Sequence, residues 1–363
     1  MANKKASLVF GLIVEGVGAV NLKHKALKTI QSDDKDIIDC IDIYKQPIFD
    51  DPSFKTLQME PSSYPNGPNM TNANEIFQNW NKNGECPDKT VPIRRSNSTI
   101  HCKEKYVSPF MNITQRLDEY KSAHEYAIVR TLDGAYHGGH ADLLTWGPKT
   151  EENEFSLSQI WIASKPGQDF NSIEAGWIVY PKRYGDHQTR FFIYWTANNY
   201  QSIGCYDMDC IGFVQTNKKI ALGAAFPVSI YNGEQHSILI NIFKDKVTGN
   251  WWLQLQGITL GYWPGTQLKN LANGANQIAW GGEVVNNKSA GHHTTTQMGN
   301  GHFAEEGVGK AGYFKNLKVV DGSNNVVVPA GLRKSMTNST CYDVNLLTDS
   351  FFYGGVGFSP KCM

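Results

Sequence analysis

The chain contains the stretch Asn171-Ser172-Ile173-Glu174-Ala175-Gly176-Trp177-Ile178-Val179-Tyr180-Pro181. Its apolar and β-branched residues predict a β-strand, although strands are depleted in Glu and this run has one in its middle. Alternate residues of a strand share a face, so Glu174 would lie beside Gly176 and Ile178. A carboxylate in such surroundings is costly to bury without a partner, and burial raises its pKa. Glu174 is therefore a candidate functional group.

A second glutamate has a similar setting in the run Trp280-Gly281-Gly282-Glu283-Val284-Val285. On a strand, Glu283 would share a face with Gly281 and Val285, which leaves room for a ligand. Two glutamates that face each other across one cleft could act as an acid/base pair. The other interpretation is two ordinary glutamates on solvent-exposed faces, because spacing along the chain does not show that they meet.

From residue 126 onward, short apolar runs alternate with turn signals such as Asn232-Gly233 and Asp321-Gly322. The predicted strands are 126–131, 155–163, 173–180, 190–196, 211–215, 238–243, 251–260, 277–285, 311–320 and 351–353. No long amphipathic helix is predicted among them. This pattern predicts an all-β fold, an antiparallel β-sandwich of the jelly-roll or lectin-like type, with a jelly-roll-like barrel as the alternative.

The front of the chain differs from the rest. In residues 1–20 two lysines precede a mostly apolar run, but Glu15 interrupts it, so this segment is either a signal peptide or a first strand. Residues 21–121 are charged and dotted with Pro and Asn. They contain helical signals at 22–30 and a strand-like run, Ile41-Asp42-Ile43-Tyr44. We expect a small domain of mixed secondary structure here.

The charges balance, with 34 Lys+Arg against 34 Asp+Glu. Without a basic stretch we expect neither nucleic acid nor a membrane surface as a partner, and no apolar run is long enough to span a bilayer. The run His137-Gly138-Gly139-His140 could hold a metal on a flexible loop, and His292 and His293 are adjacent. Neither group offers the three protein ligands that zinc sites use. We expect no metal and no cofactor.

The seven cysteines match no zinc or haem spacing, so disulfides in an exported protein are the better interpretation. The expected pairs are Cys40 with Cys86, Cys205 with Cys210 and Cys341 with Cys362, which leaves Cys102 unpaired. Five Asn-x-Ser/Thr triplets are glycosylation candidates, at Asn69, Asn97, Asn112, Asn287 and Asn338. Both features favour secretion.

Eleven motifs follow one another along the chain. Three lie toward the front, at 40–47 (Cys40-Ile41-Asp42-Ile43-Tyr44-Lys45-Gln46-Pro47), 83–87 and 92–95. The others are 158–162, 173–177, 190–196, 204–207, 248–253, 261–264, 280–283 and 293–299. In this order they resemble the neprosin family of plant secreted glutamic peptidases, from about Asp39 to the C-terminus, and the front motifs resemble that family's activation peptide.

The resemblance implies a zymogen, with an activation pro-domain at 21–121, a β-sandwich peptidase domain at 122–363 and maturation near residues 116–124. It also implies cleavage on the carboxyl side of proline at acid pH. The family's catalytic glutamates fall on Glu174 and Glu283, which would act on a water molecule. The chain departs from the family in its unpaired Cys102 and its interrupted signal peptide.

Around this pair, Gln159 and Gln297 are candidate amide donors, and Tyr194 and Trp195 are candidate walls of a proline pocket. Each of the four could equally be structural. The expected partners are proline-containing peptides or proteins and the chain's own pro-domain, and we expect a secreted monomer.

Three other functions compete with this interpretation. A carbohydrate-binding β-sandwich would use exposed aromatic residues and would tolerate loss of either glutamate. A glycosidase would also use paired carboxylates. A catalytically silent relative would keep the fold without turnover.

Overall fold

The computed structural model describes residues 25–68, 77–96, 123–288 and 291–363. The strands in these ranges are β1 (Lys28–Gln31), β2 (Ile37–Asp42), β3 (Thr90–Arg94), β4 (His124–Arg130), β5 (Tyr136–Leu144), β6 (Ser156–Ala163), β7 (Ser172–Val179), β8 (Arg190–Thr196), β9 (Gly204–Tyr206), β10 (Val214–Gln215), β11 (Ser237–Lys244), β12 (Trp251–Leu255), β13 (Ile258–Trp263), β14 (Gln277–Val285), β15 (Gly312–Asp321), β16 (Val326–Val327), β17 (Arg333–Met336), β18 (Asp343–Leu346) and β19 (Phe351–Gly354). The described α-helix is α1 (Pro181–Tyr184), and the 3-10 helices are Ile43–Lys45, Pro47–Asp50, Asn79–Asn83, Gly265–Gln267, Lys269–Leu271 and Ala304–Glu306.

These strands form three antiparallel sheets. A small front sheet has the order β1-β2-β3. A seven-stranded sheet has the order β17-β4-β14-β6-β7-β8-β9. A nine-stranded sheet has the order β10-β13-β12-β11-β5-β15-β19-β18, with β16 paired to β15. The two large sheets pack face to face and keep open edges, so the predicted antiparallel β-sandwich is confirmed and the barrel alternative is not formed.

Strand alternation places the core between the two large sheets. On β7, Trp177 faces this core, whereas its neighbours at 176 and 178 face the outer side of the seven-stranded sheet. The Trp177 indole donates to the carbonyl oxygen of Leu144 in the other sheet at 2.9 Å. A Cβ on Gly139 of β5 would come within 2.9 Å of Ile160 on β6, so the sheets meet too closely there for a side chain. The glutamate-bearing face is therefore outside the main core.

The front sheet docks on the sandwich through glutamine side chains that imitate backbone. Gln46 donates to the carbonyl of Gln215 at 2.8 Å and accepts from its N–H at 2.7 Å. Gln78 makes the same two bonds to Ala221, at 2.9 and 2.8 Å. Both glutamine side chains are fully buried, and each satisfies the backbone N–H and carbonyl of one residue of the sandwich.

Two predicted strands, 190–196 and 277–285, have the observed bounds, and most of the others are shifted at their ends. The single strand predicted at 251–260 is wrong. Leu255 pairs with Ile258, and Gln256 and Gly257 between them have φ of 53° and 81°. Two left-handed residues make a tight hairpin turn, so this run folds back as β12 and β13 instead of bending as one strand.

Three other local predictions are corrected. The run from His137 to His140, expected on a flexible loop, lies in β5 in the interior of the nine-stranded sheet, and its two glycines concealed the strand pattern. The helical signal at 22–30 is wrong where it is described, because β1 pairs with β2 from Lys28. The strand-like run at 41–44 ends at Asp42, whose side chain accepts from the Tyr44 N–H and begins a 3-10 helix.

The three expected cysteine pairs are bonded, Cys40–Cys86 in the front domain, Cys205–Cys210 after β9 and Cys341–Cys362 near the C-terminus. Cys102 lies outside the described residues.

Candidate active site

Glu174 on β7 and Glu283 on β14 lie on the same, outer face of the seven-stranded sheet. Strand β6 runs between them, and its Gln159 pairs with Gly176 on one side and Gly281 on the other. Each glutamate is two residues from its glycine, in opposite directions along the sheet, so the two lie diagonally across Gln159. The two glutamates are near enough for the charge of Glu283 to contribute to the raised pKa of Glu174.

Glu174 is buried and has three hydrogen-bond donors. Ser172 and the Tyr200 hydroxyl both donate to Oε1 at 2.7 Å. Gln159 Nε2 donates to Oε2 at 2.8 Å. Burial is the largest influence and raises the pKa of Glu174 to about 7, against the opposing effect of these donors and with a further upward contribution from the charge of Glu283. Glu174 therefore keeps its proton throughout the acid range.

Glu283 is also fully buried, but its neighbour is a histidine. Nδ1 of His124 lies 2.5 Å from Glu283 Oε1, and the imidazole is itself only 7% exposed. In the sheet register Glu283 pairs directly with Tyr126 of β4. The imidazole can donate a hydrogen bond to this carboxylate, whereas the donors around Glu174 are a serine, a tyrosine and a glutamine.

The two glutamates thus have different surroundings. Burial raises the pKa of Glu174 to about 7, and Glu283 has an imidazole nitrogen 2.5 Å from its Oε1. Two carboxyl groups on one face with different surroundings are what a general acid and a general base require.

The structure places the other candidates differently. Gln159 contacts Glu174, and Tyr194 of β8 pairs with Glu174 in the register, so its side chain lies on the same face. Tyr194 stacks on Tyr200 with ring centroids 5.9 Å apart. Trp195 points to the opposite face and belongs to the main core, where it is 3% exposed, so it is not brought to the glutamates.

Gln297 lies in the loop after β14, and its described hydrogen bonds are to Lys149. Its Oε1 accepts from the Lys149 N–H at 3.0 Å, and its own N–H donates to the Lys149 carbonyl at 2.9 Å. These bonds hold two loops together at the edge of the sandwich. They do not bring Gln297 to the Glu174 carboxylate, unlike the bond made by Gln159.

Three residues of the site were missed from the sequence, Ser172, Tyr200 and His124. Ser172 precedes Glu174 by two residues on one strand, so strand alternation could have identified it. His124 is on the same face as Tyr126, just before the predicted start of that strand. Tyr200 comes from the loop after β8, and nothing in its sequence context indicates that it reaches Glu174.

Other candidate features fall elsewhere. His293 lies close to Cys341 and Cys362, but both sulfurs are bonded to each other and are not free to bind a metal. Burial lowers the pKa of His140 to about 4. Among the glycosylation candidates, Asn287 is exposed and Asn338 is half-buried, whereas the remaining three, Asn69, Asn97 and Asn112, lie outside the described residues. No helix in the described ranges is long and apolar enough to cross a membrane.

The family model described as Neprosin matches residues 152–356, more than half of the chain and including both glutamates. The chain is a member of the neprosin family. The model described as Neprosin activation peptide matches residues 29–130, which take in the front sheet and β4. The chain therefore carries both parts of a neprosin-family precursor.

Among solved structures, the chain is similar to scytalido-glutamic peptidase bound to a peptide-based transition state analog. The identity is 12%, with 65% of this chain and 98% of that one covered and a TM-score of 0.37. It is also similar to SCP-B, a member of the Eqolisin family of peptidases, in complex with the tripeptide Ala-Ile-His. There the identity is 10%, the coverage 65% and 98%, and the TM-score 0.35. TM-scores this low carry no weight for the function.

Proposed function

We propose that this neprosin-family chain is the secreted zymogen of a glutamic endopeptidase that cleaves on the carboxyl side of proline at acid pH. The observation that carries the proposal is the pair of buried glutamates on one sheet face, one with its pKa raised to about 7 and the other bonded to a histidine. The family match and the activation-peptide match support the peptidase and the zymogen. Neither carbohydrate alternative accounts for an activation-peptide region.

In the proposed mechanism Glu283 is the general base and Glu174 the general acid. Glu283 takes a proton from a water molecule, whose oxygen forms a bond to the scissile carbonyl carbon. Glu174 donates its proton to the leaving nitrogen as the C–N bond breaks. The proton on Glu283 then returns to Glu174 by way of solvent. Gln159 holds Glu174 Oε2 through its amide and so orients the acid.

Specificity for proline is assigned to aromatic rings beside Glu174. Tyr194 lies 4.7 Å from Tyr206 in an edge-to-face arrangement and also stacks on Tyr200. Flat aromatic walls suit a pyrrolidine ring, because they offer apolar area with little conformational freedom to lose on binding. The leaving group after proline is an ordinary amide nitrogen, so the chemistry needs no further group.

The zymogen proposal is supported by a buried ion-pair network between the front domain and the sandwich. Asp36 accepts from Arg94 of the front sheet at 2.7 Å and from Arg190 of β8 at 2.7 Å. The Arg190 side chain is fully buried and also binds Asp186 at 2.5 Å. Protonation of carboxylates in such a network removes its attraction, so acid would loosen the front domain.

The test is acidification of the purified full-length protein, followed by intact mass and by cleavage of a peptide that contains one proline. We expect shortening to about residues 122–363 and cuts after proline. Glu174→Gln and Glu283→Gln should each lower kcat by a factor of about 10² to 10⁴, the usual contribution of a general acid or base.

The matched control is Glu152→Gln, which changes a largely exposed glutamate that pairs with His187 and should leave turnover unchanged. A wild-type protein that stays intact and leaves the peptide whole at every acid pH would refute the proposed activity. Sugar release or saturable glycan binding in its place would return the function to the carbohydrate alternatives.

A further inference from the structure

A histidine beside one of the glutamates is not explained by the acid/base pair alone. Nδ1 of His124 approaches Glu283 Oε1 to 2.5 Å, and both side chains are buried. When the carboxylate is ionised it can only accept hydrogen bonds, and the proton of this contact is then on Nδ1. Charge-assisted bonds of this kind are shorter and stronger than neutral ones. The contact therefore orients the Glu283 carboxylate and compensates its charge.

His124 lies close to the expected maturation site, but the sheet pairing of its strand keeps it in the mature enzyme. Strand β4 is interior, paired with β14 on one side and with β17 on the other. The Asn286 N–H donates to the carbonyl of Ala123 at 2.6 Å, one residue before His124. Removing β4 would break the seven-stranded sheet in two. The cut must then lie before residue 123, and His124 stays with the mature enzyme.

The surroundings of His124 identify Glu283 as its partner on the site face. Phe155 packs edge-on against the imidazole with ring centroids 5.7 Å apart. Tyr126 follows on the same face of the strand. Glu125 faces the other side of the sheet, where it binds His293 at 3.0 Å. Among the described residues, Glu283 is the acidic group that faces His124.

We propose that His124 is a positioning residue for Glu283. As an imidazolium it donates Nδ1–H to Oε1, places a positive charge beside the carboxylate and fixes its orientation toward the attacking water. This inference rests on the proposed function, because it gives a role in the base step to a residue that does not itself react.

The first test uses activated enzyme with His124→Gln, which keeps an amide donor but loses the positive charge. We expect kcat to fall about ten- to a hundredfold, the range expected from the loss of a charge-assisted hydrogen bond, while KM stays within about twofold. The acid limb of the kcat–pH profile should move to higher pH, because the carboxylate has lost its cationic neighbour. A merely structural role would lower kcat without moving that limb.

The matched control is His302→Gln. His302 also places Nδ1 near a glutamate oxygen, 2.8 Å from Glu306 Oε1, but this pair is partly exposed and on a different part of the sandwich. Its kinetic profile should match that of the wild type. A folded His124→Gln enzyme with the wild-type kcat and acid limb would overturn the proposal, and so would an active mature enzyme whose first residue lies beyond 124.

A second measurement does not depend on turnover. In ¹⁵N-histidine-labelled zymogen at acid pH, the bonded Nδ1 proton of His124 should give a strongly downfield resonance that Glu283→Gln and His124→Gln both remove. Its presence in a protein without peptidase activity would show the contact intact and the proposed function wrong. Its absence in wild-type protein would refute the positioning role even if the enzyme is active.

Discussion

Glu174 should make the folded protein less stable as the pH rises from acid to neutral. Its pKa is raised from an ordinary value of 4.5 to about 7, with burial as the main cause. Below about pH 4.5 the group is protonated in both the folded and the unfolded chain, so it carries no penalty. Between pH 4.5 and 7 the unfolded chain releases the proton and the folded chain keeps it, so stability is lost across this window.

The size of the loss follows from the same numbers. A pKa that rises from 4.5 to about 7 corresponds, at about 1.4 kcal/mol for each tenfold change in proton affinity, to about 3 kcal/mol of unfolding free energy. A glutamine at position 174 has no proton to release. The unfolding free energy of the variant, measured relative to that of the parent, should therefore rise by about 3 kcal/mol between pH 4.5 and pH 7.5.

The assay is urea unfolding of the full-length protein, followed by tryptophan fluorescence at the two pH values. Glu283→Gln serves as the parent so that no self-cleavage occurs, and it is compared with the same protein carrying Glu174→Gln as well. The expected gain is then about 2–3 kcal/mol, because the charge of Glu283 is one of the smaller influences on Glu174. An equal stability difference at both pH values would refute the raised pKa.

Three further predictions follow from single contacts. Asp36→Asn, which breaks the buried pair with Arg190, should weaken docking of the front domain by about 3 kcal/mol and let activation proceed at higher pH in a time course by intact mass. Asp88→Asn is the control for this variant. The Asp88 carboxylate makes an exposed ion pair across the same interface, so its loss should change the docking of the front domain little. Gly176→Ala puts a Cβ 2.0 Å from a carbonyl oxygen of β6 and should cost about 2 kcal/mol or more in unfolding free energy; an unchanged Tm would contradict this. Tyr194→Leu should lower kcat/KM for a proline peptide up to about tenfold, and it should lower kcat/KM for an alanine peptide less. Equal losses for the two peptides would show that Tyr194 does not determine the specificity for proline.

The sequence predicted the sheet architecture because strand alternation is local. Glu174 could be assigned to one face from its immediate neighbours, and the strand that carries Glu283 was predicted with its observed bounds. The β12–β13 hairpin was not predicted, because a single Gly257 fits a bend as well as a turn. Strand β5 was missed because its two glycines imitate a loop, although the other sheet lies too close to Gly139 for a side chain there.

Both candidate glutamates were named from the sequence and lie on one sheet face, but Ser172, Tyr200 and His124 beside them were not named. Gln159 was a candidate and does contact Glu174, but its position between the two glutamates depends on the order β7-β6-β14, which skips seven strands of the chain. Trp195 and Tyr194 are adjacent in sequence, and only the register decides that Tyr194 faces Glu174 and Trp195 the core. Tyr200 approaches by a loop. Long-range strand pairing of this kind cannot be predicted from the spacing of residues along the chain.

Two pH dependences follow from the site, and they can be separated. On the proposed activation, release of the front domain depends on carboxylates such as Asp36 at the interface, whereas turnover on the proposed mechanism needs a protonated Glu174, whose pKa is about 7. Enzyme that has already been activated at acid pH should therefore keep turning over as the pH is raised toward 7, and kcat should fall about tenfold per pH unit above that value.

The measurement is kcat for a proline peptide with pre-activated enzyme between pH 4 and 8, next to the activation rate of the zymogen over the same range. If turnover by the pre-activated enzyme is lost together with activation in the acid range, Glu174 is not the group that limits activity at high pH. The acid role would then have to be assigned elsewhere.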